Sequence, residues 1–310
     1  LYSFSTFDAL FVMIEIIPSQ VPVPKLHGYL LGAVGPRPIA LASTIDAQGR
    51  PNLSPFSFFN VFSAHPPIAI FSPARRGRDN TLKHTYNNVK ACPEVVINVV
   101  SHNMVEQVSL SSTEYPEGVN EFEKSGFTAL PAHLVKPFRV AESPVQMECR
   151  VNQVIELGTE GGAGNLVICE VLKMHISEEV LDAEGRIDQH KIDLVGRMGG
   201  NWYVRASKDA IFEVEKPLAK LGIGVDGIPP EIRNSTVLTG NHLGKLGNVE
   251  CLPDETEVNE YKLLALSDLY MRWADTPVLL EQKLHHHAVA LLDQNDVTGA
   301  WKTLLSFNNR

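Results

Sequence analysis

SPFSFFNVFSAHPP, residues 54–67, decides the fold together with its neighbours. Upstream, GPRPIALASTIDAQGRPNL occupies residues 35–53. Downstream come IAIFSPARRGRDNTLKHT (68–85) and VVINVVS (95–101). Residues 39–45 (IALASTI) are a short apolar run of strand formers. Asp46-Ala-Gln-Gly49 is a turn, and residues 51–59 continue extended, so the spacing predicts a β-hairpin. Residues 68–71 and 95–100 read as two more buried strands. Between them, residues 79–91 have helical spacing, with Leu82, Tyr86 and Val89 on one face and Asp79 or Asn80 as the N-cap.

Outward from this unit, a second short helix is expected over 103–111. Residues 142–158 alternate, with Val145, Met147, Cys149, Val151 and Gln153 on one face. Gly161-Gly-Ala-Gly164 makes a turn and residues 165–176 return, giving two long antiparallel strands of barrel type. Asp182-Ala-Glu-Gly185 repeats the turn chemistry of 46–49 without matching flanks. Near Pro217 the texture changes. A polar, Gly- and Pro-bearing stretch (221–253) precedes three helical patterns over 257–270, 277–292 and 297–305, with leucines at i, i+3 and i+4. The expected organisation is a β-rich domain over 1–215 and a helical C-terminal extension over 216–310.

The chain has 310 residues, 44% of them apolar, and a net charge of −9, so it folds around a real core. The acidic balance argues against nucleic acid as a partner, because binding it needs Lys and Arg to neutralise phosphates. It leaves room for one local basic pocket. No apolar run reaches the ~18–20 residues that span a bilayer. Residues 1–20 are apolar but carry Asp8 and Glu15 and lack a basic start, so they read as a packed segment, not a signal peptide. Four cysteines without Cys-x-x-Cys spacing read as reduced thiols in a cytoplasmic protein.

Three constellations carry chemistry. Arg75, Arg76 and Arg78 precede Asp79-Asn80-Thr81 at an expected helix start, where free N–H groups and arginine forks suit a phosphate monoester. The plain alternative is a solvated basic loop. Ser54, Ser57 and Asn60 alternate with Phe56, Phe58 and Phe59; one face of such a strand packs inward while the other offers donors and ring edges. The alternative is a core strand with turn polars. In VGRMGGNWYVR (195–205), Gly199 and Gly200 permit close backbone approach, and Trp202 and Tyr203 can cover a ring or an interface.

Together these stretches resemble the flavin reductase-like, FMN-binding split-barrel family over about residues 28–205. The resemblance rests on Arg37-Pro38-Ile39-Ala40-Leu41, the Asp46–Asn52 turn, Ser57-Phe58-Phe59-Asn60, Pro66-Pro67, Phe71-Ser72-Pro73, Asn80-Thr81, Asn98–Val100 and Arg197–Gly200. It implies a mainly β fold with helices, a split β-barrel that binds FMN and pairs as a homodimer, the flavin lying near the subunit interface. Carried over by position, the phosphate lies near Ser72, Pro73, Arg75, Asn80 and Thr81. The ring lies against Ser54, Pro55, Phe56 and Ser57, with Ser43 and Thr44 beside it. Arg37, Asn60, Asn98, Gly199 and Gly200 complete the implied cofactor residues. The resemblance does not reach the helical extension.

Two motifs are decoys. Gly222-Ile-Gly-Val-Asp-Gly227 fits GxGxxG, but Pro229-Pro230 follow where a helix should open. His285-His286-His287 lie on one helix about 100° apart, so they read as a surface or interface helix, not a shared metal site. No metal and no catalytic acid or base is assigned. The leading functional expectation is a flavin reductase in which FMN accepts hydride from NADH or NADPH and passes electrons onward. Two alternatives stay open: an FMN electron carrier with a protein donor or acceptor, and a non-enzymatic split-barrel binding module.

Overall fold

The computed structural model describes residues 13–217 and 221–307. The chain divides into two compact units, Leu1–Phe212 and Glu213–Arg310.

The first unit opens with helix α1 (Val23–Ala33). Strands β1 (Ala40–Ile45), β2 (Pro51–Phe56), β3 (Phe59–Ala64) and β4 (Pro67–Phe71) follow. Helix α2 (His84–Ala91), strand β5 (Glu94–Val99) and helices α3 (Val105–Leu110) and α4 (Glu121–Ser125) come next. A small ribbon of β6 (Ala129–Leu130) and β7 (Arg139–Val140) precedes the long β8 (Val145–Glu156) and β9 (Asn165–Ile176). A second ribbon, β10 (Val195–Arg197) and β11 (Tyr203–Arg205), ends the unit.

Seven strands form one antiparallel sheet in the order β2-β1-β5-β8-β9-β4-β3. The two outermost strands, β2 and β3, are consecutive in the chain, with only Ser57 and Phe58 between them. Two residues span at most ~7 Å, so the sheet edges must meet at that corner. The sheet therefore curls into a barrel that stays split elsewhere. Two register shifts in β8, at Glu148/Cys149 and Val151/Gln153, add the bend such closure needs. The interior is filled by inward residues including Ala42, Phe56, Phe71, Ile97, Met147 and Val167. Phe56 and Phe71 meet across it with ring centroids 5.3 Å apart.

The β1–β2 hairpin turns as the sequence predicts. Asp46 Oδ1 accepts the N–H groups of Gln48 and Arg50, both at 2.9 Å, and Gly49 takes φ +80°. Asp182 repeats this with Glu184 and Arg186, and Gly185 takes φ +75°.

Three local expectations are corrected. Helix α2 begins at His84, not at residue 79, and Lys83 precedes it without a side-chain cap. The reason is local: Asp79 Oδ1 accepts both the N–H (3.0 Å) and the hydroxyl (2.6 Å) of Thr81, and Asn80 takes φ +58°. A right-handed helix cannot pass through that angle. The extended run expected over 51–59 breaks at Ser57, and β3 continues beyond it. The packed N-terminal segment falls largely on residues 1–12, outside the described residues; of the rest, Met13, Ile14 and Ile17 are exposed.

The second unit is helical: α5 (Pro230–Arg233), α6 (Gly240–Gly247), α7 (Glu255–Ala265), α8 (Ser267–Trp273), α9 (Pro277–Asp293) and α10 (Val297–Leu305). Its core gathers Ile228, Ile232, Leu246, Leu292, Trp301 and Leu304. Trp301 is 1% exposed and donates its Nε1–H to the Leu246 carbonyl at 3.1 Å. The GxGxxG stretch is a packing device. Ile223 N–H donates to Val249 O and Gly224 N–H to Gly247 O, and a Cβ on Gly222 would lie 2.6 Å from Gly247 O. The histidine tract lies on a helix that packs on one side and faces outward on the other. His285 is buried beside Leu284 and Ala288, with Nδ1 2.6 Å from Ser235 Oγ; His286 is exposed. No helix among the described residues is long and apolar enough to cross a membrane.

Candidate functional site

The barrel corner and the loop after β4 form one continuous surface. Ser72 N–H donates to Phe58 O at 2.9 Å, which fastens the loop to the Ser57-Phe58 corner. Asn165 then shapes the loop's start. Its N–H donates to Ser72 Oγ (3.0 Å) and its Nδ2 to Pro73 O (2.8 Å). The 161–164 turn supports the next residues: Arg75 N–H donates to Ala163 O at 2.8 Å and Gly162 N–H to Arg75 O at 3.1 Å. Its glycines are required for contact, since a Cβ on Gly161 would meet Arg76 O at 3.1 Å and one on Gly164 would meet Ser72 Oγ at 2.8 Å.

Within the loop, Arg76 Nη1 donates to Thr81 Oγ1 (3.0 Å) and Leu82 O (2.7 Å), closing residues 76–82 into a compact turn. Arg75 Nη1 donates to Asn80 O at 3.0 Å, and Asn80 Nδ2 donates to Thr159 O at 2.9 Å. Glu114 reaches in from outside and pairs with Arg76, Arg78 and Lys83. Burial works against its charge, but those cations hold its carboxyl below the ordinary range. Asp79 is held at about 2 by the Thr81 hydroxyl and N–H. Three cations, Arg76, Arg78 and Lys83, thus share two carboxylates, Asp79 and Glu114, and Arg75 adds a fourth positive charge to the loop. A net positive surface remains. Among the described residues Arg75 enters none of these ion pairs, and its Nε is buried without a hydrogen-bond partner. A phosphate is an acceptor of the right charge for such a group.

Of the cofactor residues expected from the sequence, the structure brings together Ser57, Ser72, Pro73, Arg75, Asn80 and Thr81. Ser54 and Pro55, on β2, are half-buried, and Asn60 is exposed on β3. Others fall elsewhere. Phe56 points into the barrel. Ser43, Thr44 and Asn98 are fully buried, and Ser43 Oγ has no hydrogen-bond partner among the described residues. Thr44 Oγ1 accepts from Asn52 and Asn88, and Asn98 joins Leu41 O to Val140 N. Arg37 is 6% exposed and acts as a rivet: Nη1 donates to Leu31 O (2.7 Å) and Val34 O, at the end of α1, and Nη2 to Met198 O (2.8 Å). Burial, with Arg197 nearby, lowers its pKa. Gly199 serves that same seam, since its Cβ would meet Gly32 Cα at 3.2 Å, and Gly200 takes φ +57° in the β10–β11 turn.

Sequence reasoning missed Asn165, Glu114 and helix α1. The helix flanks the corner, its His27 ring edge-on to Phe58 at 6.2 Å, and a Cβ on Gly162 would meet Val23. Two hollows lie apart from the loop. One, of about 420 Å³, is lined by His102, Glu106, Arg197, Tyr203 and Arg205; the other, of about 200 Å³, lies by Asp46, Asn52, His84 and Glu117.

The flavin reductase like domain matches residues 33–191, just over half of the chain. The chain belongs to that family. An uncharacterized protein of Aquifex aeolicus is 35% identical over 192 residues, covering 62% of this chain and 95% of that protein. Nitrilotriacetate monooxygenase component B from Bacillus cereus is 25% identical. It covers 66% of this chain and 100% of its own, with a TM-score of 0.61. The 2-nitrobenzoate 2-nitroreductase NbaA of Pseudomonas fluorescens is 26% identical, covering 67% of this chain and 100% of its own, with a TM-score of 0.57. The split-barrel fold is thus shared, and family membership supports a flavin-dependent oxidoreductase role. None of these three likenesses spans more than 67% of the chain.

Proposed function

We propose that the chain is a flavin reductase that holds FMN across the barrel corner and the 72–82 loop and accepts hydride from NADH or NADPH. The observation that carries this reading is Arg75: a cation with a buried, unpartnered Nε, on a net positive loop fastened to the Ser57-Phe58 corner. In this reading the Arg75 guanidinium and the Ser72 hydroxyl hold the phosphate. Ser54, Pro55 and Ser57 offer backbone and hydroxyl partners to the ring edge, and Phe58 offers apolar cover. FMN itself supplies the hydride-accepting chemistry. The chain's residues orient the two reactants and exclude water, which requires no acid or base side chain in the transfer step.

The edge beside the site is apolar. Phe58, Val61 and Phe62 are 40%, 61% and 65% exposed. A homodimer that buries this edge would deepen the site, as large exposed apolar patches generally mark contacts. The four cysteines are free, in keeping with a cytoplasmic location. The Bacillus cereus likeness, a monooxygenase component, supports a protein acceptor for the electrons.

The test is an absorption spectrum of the purified chain with FMN, followed by anaerobic NADH and then NADPH. Bleaching of the flavin band supports the reductase. A bound flavin that neither nucleotide bleaches replaces it with the electron-carrier reading. No flavin binding at all removes both.

A further inference from the structure

Away from the corner and its loop, strands β8 and β9 carry a second cluster. Their register sets Glu148 opposite Lys173 and Gln146 opposite His175. Glu148 is fully buried, and the segment between β6 and β7 folds over it. His133 N–H donates to both its carboxylate oxygens (2.9 and 3.0 Å), and Leu134 N–H donates to Oε2. His175 Nε2 lies 2.6 Å from Glu148 Oε1. The His133 and His175 rings meet edge to face at 4.8 Å. One ligand atom from each of His133, Glu148 and His175 lies within 4.8 Å of the others. Into this group comes one more cation, Lys173, whose Nζ sits 2.8 Å from His133 Nδ1.

We propose that His133, Glu148 and His175 form a binding site for one divalent metal of the zinc class, with the Lys173 ammonium as a competitor for His133 Nδ1. Two imidazoles and a carboxylate are a common zinc donor set, and such sites keep a fourth position open. The chemistry favours a cation over an anion. The central group is a carboxylate, and the ammonium faces an imidazole lone pair. Arg139, the other cation nearby, is already spent on Pro131 O and Gln146 Oε1. Donors about 2.0–2.2 Å from a tetrahedral zinc lie roughly 3.3 Å apart. The Glu148–His175 pair must open slightly and His133, on an exposed segment, must swing in; the flexible Lys173 stem can move out to solvent. Bound metal would then fasten the β6–β7 segment to the long hairpin. The inference does not rest on the flavin reading, since it shares no residue with that site.

The test uses the full chain, dialysed against chelator, with the exposed Cys251 replaced (Cys251→Ser) so that its thiol cannot compete. Co2+ is titrated and its visible bands followed, then Zn2+ is added to displace it. One Co2+ per chain is expected. His133→Ala and His175→Gln should each weaken binding at least about tenfold, and Lys173→Ala should tighten it by a similar factor. Far-UV circular dichroism checks that each variant is folded. Three results would overturn the site: no stoichiometric Co2+ or Zn2+ below about 100 µM, binding that survives loss of both histidines, or no gain in folded Lys173→Ala.

Discussion

Replacing Arg75 with alanine separates the phosphate-binding role of the loop from its structural role. The wild-type side chain spends Nη1 on the Asn80 carbonyl at 3.0 Å and leaves a buried Nε without an acceptor. If the Arg75 guanidinium meets the FMN phosphate, the substitution removes one charge-assisted hydrogen bond, about 2 kcal/mol. Every 1.4 kcal/mol is tenfold, so FMN should bind roughly 30-fold more weakly. The loop stays closed by Arg76 on Thr81 and Leu82 and by Asp79 on Thr81, none of which involves Arg75. Riboflavin has the same ring and no phosphate, so its affinity should change less than about threefold if the ring site is untouched. Fluorescence titration of both flavins into both proteins reads the two numbers directly. Equal losses for FMN and riboflavin would show that Arg75 supports the loop and not the phosphate. A loss of neither would remove the loop from the site.

Acid should spare the loop before it spares the ligand. The Asp79 carboxyl is held at about 2 by Thr81, so its contribution is complete above the usual carboxylate range and lost only as pH falls toward 2. FMN affinity should therefore drop between pH 7 and 5 with the phosphate's own ionisation near ~6, while riboflavin affinity stays flat; a falling riboflavin curve would mean the loop itself comes apart. In the helical unit, burial lowers the pKa of His285. The unfolded chain then takes up the proton first, so the stability His285 contributes at neutral pH is lost as pH falls below the ordinary histidine value near ~6.5. His285→Gln should flatten the change in Tm between pH 7.5 and 5.5, and an unchanged slope would assign that dependence elsewhere. Gly222→Ala, whose Cβ would lie 2.6 Å from Gly247 O, should cost about 1–3 kcal/mol in urea unfolding while leaving the KM for NADH alone; a raised KM with unchanged stability would restore the nucleotide-loop reading. Trp301→Ala should cost about 3–5 kcal/mol, because it empties a site 1% exposed and orphans the Leu246 carbonyl; a cost below ~1 kcal/mol would contradict that packing.

The strands were legible because period-two alternation and turn chemistry are local. Asp46 and Gly49 announce their hairpin in four letters, and residues 165–176 return as one strand after the glycine turn. The start of α2 was misplaced for an equally local reason that letters alone do not rank. Asp79 is a good helix cap and an equally good Asx-turn residue, and here the Thr81 hydroxyl joins the second option. Ser43, Thr44 and Asn98 looked like ligand donors because they are polar residues on strands of the right unit. Their burial depends on which strands flank β1 and β5, which is a property of the sheet order. Asn165 and Glu114 were out of reach because they arrive from 93 and 38 residues away. One signal for the first was present: a four-residue turn holding three glycines just before Asn165, where only small residues let a second loop lie flat.

The placement of the arginines explains why the loop is rigid without a ligand and still able to take one. A cluster of four cations would push itself apart, and Glu114 and Asp79 remove most of that repulsion by pairing with Arg76, Arg78 and Lys83. Full neutralisation would leave nothing for an anion to gain. Arg75 is the exception. Its backbone is locked on both sides by Ala163 and Gly162, and its Nη1 is held by the Asn80 carbonyl. The Tyr86 hydroxyl and, less strongly, Arg75 lower the pKa of the Glu156 carboxyl, while Arg75 Nε keeps no acceptor among the described residues. An acid placed beside Arg75, such as Ala163→Glu, would therefore act as a tethered competitor. FMN binding should weaken while riboflavin binding persists, and Tm should not fall. A variant that loses both flavins equally would show instead that the turn, and not the charge, governs the site.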